Sequence, residues 1–182
     1  MYFDCIIAGF GGQGVMLAGN ILAYAAIAEN KKVTYMPVYG VEMRGGTANC
    51  TVVISDREIG SPVIQQPVSS IVMNKPSYDK FASKVKRSGL IIVNENLVPK
   101  DAELSPNIKT LFIPARDLAV EAGGDRLLNM VMLGALAEKT GVVSVDSLKK
   151  ALNAAIEEKY HKMIPLNSLA IDKGAKFVKT GC

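Results

Sequence analysis

Apolar residues in this chain come in short dense runs, parted by glycine, proline and charge. Phe3 to Ala8 is a short apolar run ending in glycines, the pattern of a buried parallel strand. From Val15 to Ala28 nearly every residue is apolar or small, and the run reads as a helix. A helix lying on a sheet shows a polar outer face; here only Asn20 and Tyr24, neighbours on a helix, offer one. That helix is expected to be covered on two sides. Lys32 to Met36 reads as a second strand stopped by Pro37. Ala48, Cys50, Val52 and Ile54 alternate with Asn49, Thr51, Val53 and Ser55, predicting a strand with one drier face. Ser70 to Met73, Leu90 to Val93 and Thr110 to Ile113 follow as short strands. Pro76 to Lys86 reads as a charged helix, with Pro76 in the first turn, where its missing N–H costs nothing. Arg116 to Ala122 reads as a short helix ended by Gly123 and Gly124.

The last third is helical. Leu127 to Ala137 is apolar all round apart from Asn129, and Gly134 and Ala135 permit close approach by a neighbour. Ser144 can cap the next helix, with Asp146 at the positive end of its dipole and Leu148, Ala151, Leu152 and Ala155 on one face. Pro165 opens a final helix with Leu166, Leu169, Ala170 and Phe177 on one side. Strands alternating with helices give an α/β fold: a three-layer Rossmann-like sandwich, with a mostly parallel central sheet flanked by helices. No repeat or linker divides the chain, so residues 1–182 are expected to form one domain.

Composition narrows the function classes. With 182 residues, 49% hydrophobic and 21% charged, the chain can bury about 70% of its unfolded surface, and disorder is not an option. The net charge of +4, the lack of a Lys/Arg cluster and the absence of Trp argue against a nucleic-acid partner; Lys173, Lys176 and Lys179 read as a solvated helix face. Cys5 and Cys50 lie in apolar runs and read as buried thiols, and Cys182 is terminal. Without closely spaced thiolates, and with His161 as the only histidine, no metal site is expected. No signal peptide is apparent, and the Val15–Ala28 run is too short to span a bilayer. A reducing, cytoplasmic compartment without a membrane partner is the expectation.

Two segments carry candidate chemistry. Gly9, Gly11 and Gly14 match Gly-x-Gly-x-x-Gly at a strand–helix junction, where backbone N–H groups can approach an anion. Nicotinamide binding fails a second requirement, because Thr34 to Pro37 carries no acidic residue for a ribose. A phosphate of another ligand and a plain packing turn both remain; an NTPase loop is excluded by the missing Gly-Lys-Ser/Thr. In Tyr39-Gly-Val-Glu-Met-Arg-Gly-Gly-Thr47, Arg44 beside Gly45 and Gly46 could bind a carboxylate, a phosphate or a partner's backbone. The alternative is a Glu42–Arg44 ion pair that stiffens a loop. No nucleophile with a base is evident, and His161, among Lys159, Tyr160 and Lys162, is expected at the surface. Met16, Met36, Met43, Met130 and Met132 read as core or interface filler, and the two apolar helices are expected to leave apolar surface for another subunit.

Gly9-Phe-Gly-Gly-Gln-Gly14, Tyr39-Gly-Val-Glu-Met-Arg-Gly-Gly-Thr47, Val52-Val-Ile-Ser-Asp56, Ser61-Pro62 and Asn129-Met-Val-Met-Leu-Gly-Ala135 closely resemble the gamma subunit of 2-oxoacid:ferredoxin oxidoreductases. The resemblance covers essentially the whole chain. It implies a complex that decarboxylates a 2-oxoacid, transfers the acyl group to coenzyme A and reduces ferredoxin. It also implies alpha, beta and ferredoxin-like delta partner subunits carrying thiamine diphosphate, magnesium and iron–sulfur clusters. This chain would be structural, with a part in coenzyme A binding through Gly11, Gly12, Gln13, Gly14, Arg44 and Gly45. Alone, it is expected to self-associate. The competing reading is a stand-alone nucleotide- or flavin-binding protein.

Overall fold

The computed structural model describes residues 1–39, 47–100 and 106–181. Its six strands are β1 (Tyr2–Phe10), β2 (Lys32–Tyr39), β3 (Thr47–Ser55), β4 (Ser69–Val72), β5 (Leu90–Asn94) and β6 (Lys109–Ile113). They form one sheet in the order β2-β3-β1-β4-β5-β6. β1, β4, β5 and β6 pair in parallel, whereas β3 is antiparallel to both β1 and β2. Only β3 therefore runs against the rest, and β1 has one neighbour of each kind rather than two parallel ones. Residues 3–9 of β1 are all buried, because both faces of this central strand are covered.

The two faces are covered unequally. On one, α1 (Val15–Ala28) and α4 (Leu128–Thr140) lie against the strands that carry Cys5, Ile7, Cys50, Val52, Ile71 and Ile92, while α5 (Val145–Ala155) covers α1, and α3 (Ala115–Ala122) and α6 (Ile164–Thr180) pack on α4. On the other, Ile6, Ala8, Val72, Ile91 and Val93 meet Tyr78 and Phe81 of α2 (Lys75–Phe81) and the turn after it. Three layers result, as the alternating pattern predicts.

Several boundaries differ from expectation. β2 continues through Pro37 to Tyr39 instead of stopping. It is an edge strand, where a residue without an N–H costs no ladder bond. The charged helix is shorter than 76–86: α2 ends at Phe81 and a 3₁₀ turn over Ala82–Lys84 follows. In α6 the buried stripe is Asn167, Ala170, Ile171, Gly174 and Ala175, while Leu169 is 44% exposed. The stripe is hidden because its asparagine and glycine are not counted as apolar.

The largest correction concerns α4. Every residue from Asn129 to Ala137 is buried within this chain, so α4 leaves no apolar face for a partner. α4 and α6 touch backbone to backbone: a Cβ on Gly134 would lie 2.0 Å from the Ile171 carbonyl oxygen, and one on Gly174 would lie 1.9 Å from that of Val131. Reciprocal glycines let α6 cover α4, and the close neighbour foreseen at Gly134 is internal. α1 is covered on two sides as expected, by the sheet and by α5, with Tyr24 and Ile27 facing out. No helix among the described residues is long and apolar enough to cross a membrane.

Candidate functional site

The parallel strands end together, and the turns after them form the candidate site. β1 runs into the glycine turn, β4 into Asn74, β5 into Asn94–Val98 and β6 into Pro114 at the start of α3. Phe10 pairs with Thr47 and Gly9 with Ala48, so β3 begins beside the same turn. Ligands of open α/β sheets bind at this carboxyl edge.

Carboxamide side chains hold these turns in place. Gln13 folds back on its own loop: its Oε1 accepts from Phe10 N at 2.7 Å and from Asn74 Nδ2 at 2.9 Å. Asn74 Oδ1 accepts from Ser77 N at 2.9 Å, capping α2. Asn129 Nδ2, from α4, donates to Gly14 O at 3.1 Å. Asn94 Nδ2 donates to Met73 O at 3.1 Å, and Asn94 Oδ1 accepts from Asn96 N at 3.3 Å. Asn96 then spans to α3, accepting from Arg116 N and donating to Asp117 Oδ2, both at 2.9 Å. With its oxygen already accepting two bonds, Gln13 is a fastener of the turn.

The glycines divide by what surrounds them. Gly14 starts α1 at φ +72°, and a Cβ there would lie 2.3 Å from Asn129 Nδ2. Gly12, at φ +100°, has nothing within 4 Å of where its Cβ would stand. The turn is therefore tight on its inner side and open on its outer side. Next to the opening is a cavity of about 280 Å³ lined by Gly12, Gln13, Leu97, Arg116, Asp125 and Arg126. The structure brings Gly11, Gly12, Gln13 and Gly14 together in this one turn; Glu42, Arg44 and Gly45 lie outside the described residues.

Sequence reasoning missed Asn74, Asn94, Asn96, Arg116 and Arg126. Asn129 left one signal, as the sole polar residue of an apolar helix. The others are spread along the chain and meet only because parallel strands end side by side. Other expectations meet the structure plainly. Cys5 and Cys50 are free thiols with no exposed surface. Burial pushes both thiol pKa values up, that of Cys50 to about 12, so both stay protonated and serve as packing. His161 is half-buried rather than exposed, with its ring Nε2 2.8 Å from Ile156 O.

Known proteins give the same picture. The chain is 35% identical over 175 residues to the ketoisovalerate oxidoreductase subunit VorA of Methanothermobacter marburgensis, matching 95% of this chain but spanning only 36% of that relative. The gamma subunit of a keto/oxoacid ferredoxin oxidoreductase from Geobacter sulfurreducens superposes with a TM-score of 0.81 at 30% identity, over 98% of this chain and 99% of that one. A 2-oxoglutarate:ferredoxin oxidoreductase from Magnetococcus marinus, solved with 2-oxoglutarate, coenzyme A and succinyl-CoA bound, shares the fold with a TM-score of 0.88 at 24% identity, over 98% of this chain and 31% of that one. The family model for pyruvate ferredoxin/flavodoxin oxidoreductases matches residues 4–177, and the chain belongs to that family.

Proposed function

We propose that this chain is the gamma-type subunit of a multi-subunit 2-oxoacid:ferredoxin oxidoreductase, working in a reducing, cytoplasmic compartment. The complex takes a 2-oxoacid and the thiol of coenzyme A to an acyl-CoA, carbon dioxide and a proton, passing two electrons to ferredoxin (a balance that follows from the bonds broken and formed). Membership of the family over residues 4–177 carries this reading.

The chain's own share is structural and cofactor-positioning. Its described cysteines do not fit an iron–sulfur cluster, since Cys5 and Cys50 are buried core thiols whose pKa values burial pushes up. On this reading, thiamine diphosphate, magnesium and the iron–sulfur clusters sit on alpha, beta and ferredoxin-like delta partners. The coenzyme A contact is assigned to Gly11, Gly12, Gln13 and Gly14 with Arg44 and Gly45. The open outer side of the turn at Gly12 supports it, because unobstructed backbone is what an approaching phosphate needs.

Calorimetric titration of coenzyme A into the purified complex tests the assignment. Arg44→Ala is expected to weaken binding several-fold, and unchanged affinity removes Arg44 from the contact. A yellow chain purified alone, with bound flavin, would overturn the subunit reading in favour of a stand-alone flavoprotein.

A further inference from the structure

Beside the glycine turn stand two guanidinium-bearing residues with no carboxylate partner among the described residues. Arg116 and Arg126 are exposed, line the same cavity as Gly12 and Gln13, and form no ion pair among the described residues. Asp117, adjacent to Arg116 in sequence, is engaged elsewhere: Asn96 Nδ2 donates to its Oδ2 at 2.9 Å. Asn96 Oδ1 also receives Arg116 N, so the start of α3 is pinned to the β5 turn and Arg116 is held at the cavity rim. Among the described residues Asp125 is the one carboxylate on the wall, so that two cations stand against one anion there.

We propose that Arg116 and Arg126 form an anion subsite that takes a phosphoryl group of the coenzyme A bound at the glycine turn. The inference rests on the function proposed above and names which residues of this chain read the cofactor's nucleotide end. A guanidinium offers a planar fork of N–H donors that matches phosphate oxygens, which a lone helix start does not. A volume of about 280 Å³ is at the small end for ligand pockets, so the cavity houses part of the cofactor rather than all of it. Leu97 and Leu128 give the same cavity an apolar wall suited to a sugar or base beside the phosphate.

The test is equilibrium binding to the assembled complex carrying wild-type chain, Arg116→Ala with Arg126→Ala, or the two lysine replacements. The probes are coenzyme A, dephospho-coenzyme A and pantetheine. The alanine pair is expected to weaken coenzyme A on the order of tenfold or more, with pantetheine, which lacks phosphate, unaffected. The lysine pair, which keeps charge without the fork, should restore part of the loss. Weakening for coenzyme A alone identifies the 3′-phosphate as the group read, and weakening for dephospho-coenzyme A as well identifies the diphosphate. Unchanged coenzyme A affinity in the alanine pair overturns the subsite while leaving the proposed function intact, as does an equal loss for pantetheine. A wild-type complex that binds no coenzyme A overturns the cofactor contact itself.

Discussion

Gly14 meets two costs at once if it gains a side chain. Its φ of +72° disfavours any L-residue, and Asn129 Nδ2 would lie 2.3 Å from the new Cβ. Gly12 meets only the first cost, since the space beside it is open. Urea unfolding should therefore rank them: Gly12→Ala loses about 1 kcal/mol, and Gly14→Ala about 2 kcal/mol or more. Equal losses would show that the Asn129 contact does not matter. Glu29 gives a prediction with a pH signature. Burial raises its pKa, but hydrogen bonds from Lys31, Ser144 N and Ser147 outweigh that and pull it from the ordinary 4.5 down to about 2. It joins the end of α1 to the start of α5, accepting from Ser144 N at 2.7 Å. Because the folded pKa lies below the unfolded one, this stabilisation is complete above about pH 4.5 and drains away as pH falls through 2. Wild type should exceed Glu29→Gln in stability at pH 7, with the gap closing between pH 4.5 and 2 in urea titrations. A gap independent of pH would contradict the linkage. Of the site's described residues, the glycines and Gln13 were legible as a local pattern, and Asn129 as the one polar residue of an apolar helix. Asn96 and Arg116 are twenty positions apart, and their meeting is a property of the sheet.

At the scale of elements, α4 and α6 show what hydrophobic patterning misses. On helix propensity alone Gly134 and Gly174 would each be a weak point, because glycine costs about 1 kcal/mol relative to alanine in a helix interior. Here each sits where the partner helix's backbone lies within 2.0 Å of a would-be Cβ. Gly134→Ala should thus destabilise by about 3 kcal/mol or more, opposite in sign to the propensity gain. Calorimetric melting of the single variant decides the sign, and a raised Tm would contradict the close contact. The same two glycines explain why α4 was expected to seek another subunit. Its apolar surface was correctly read, but the smallness of the α6 stripe that covers it carries no hydrophobic signal. β2 repeats the lesson, since Pro37 stops a strand only where its missing N–H would be needed.

Over the whole molecule, the fold class was legible because strands and helices alternate with changing period, and α/β layering follows from that alone. Strand order was not legible, as the β2–β3 hairpin extends the sheet beyond β1, with β2 at the edge, without a sequence mark. The result is a lopsided sandwich, with five helices on one face and α2 on the other, and one edge at which all the turns of interest gather. That edge holds fasteners in its amides and cations in its arginines, with no nucleophile–base set among its described residues. The architecture suits a subunit that presents a cofactor to chemistry performed by its neighbours.

Ferredoxin reduction by the partner subunits, driven by a 2-oxoacid and coenzyme A and followed with and without this chain added back, tests that claim most directly. The account predicts that turnover is lost without the chain, returns in proportion to its addition, and is absent from the chain alone. Full turnover by partners lacking it, or turnover by the isolated chain, would contradict the account.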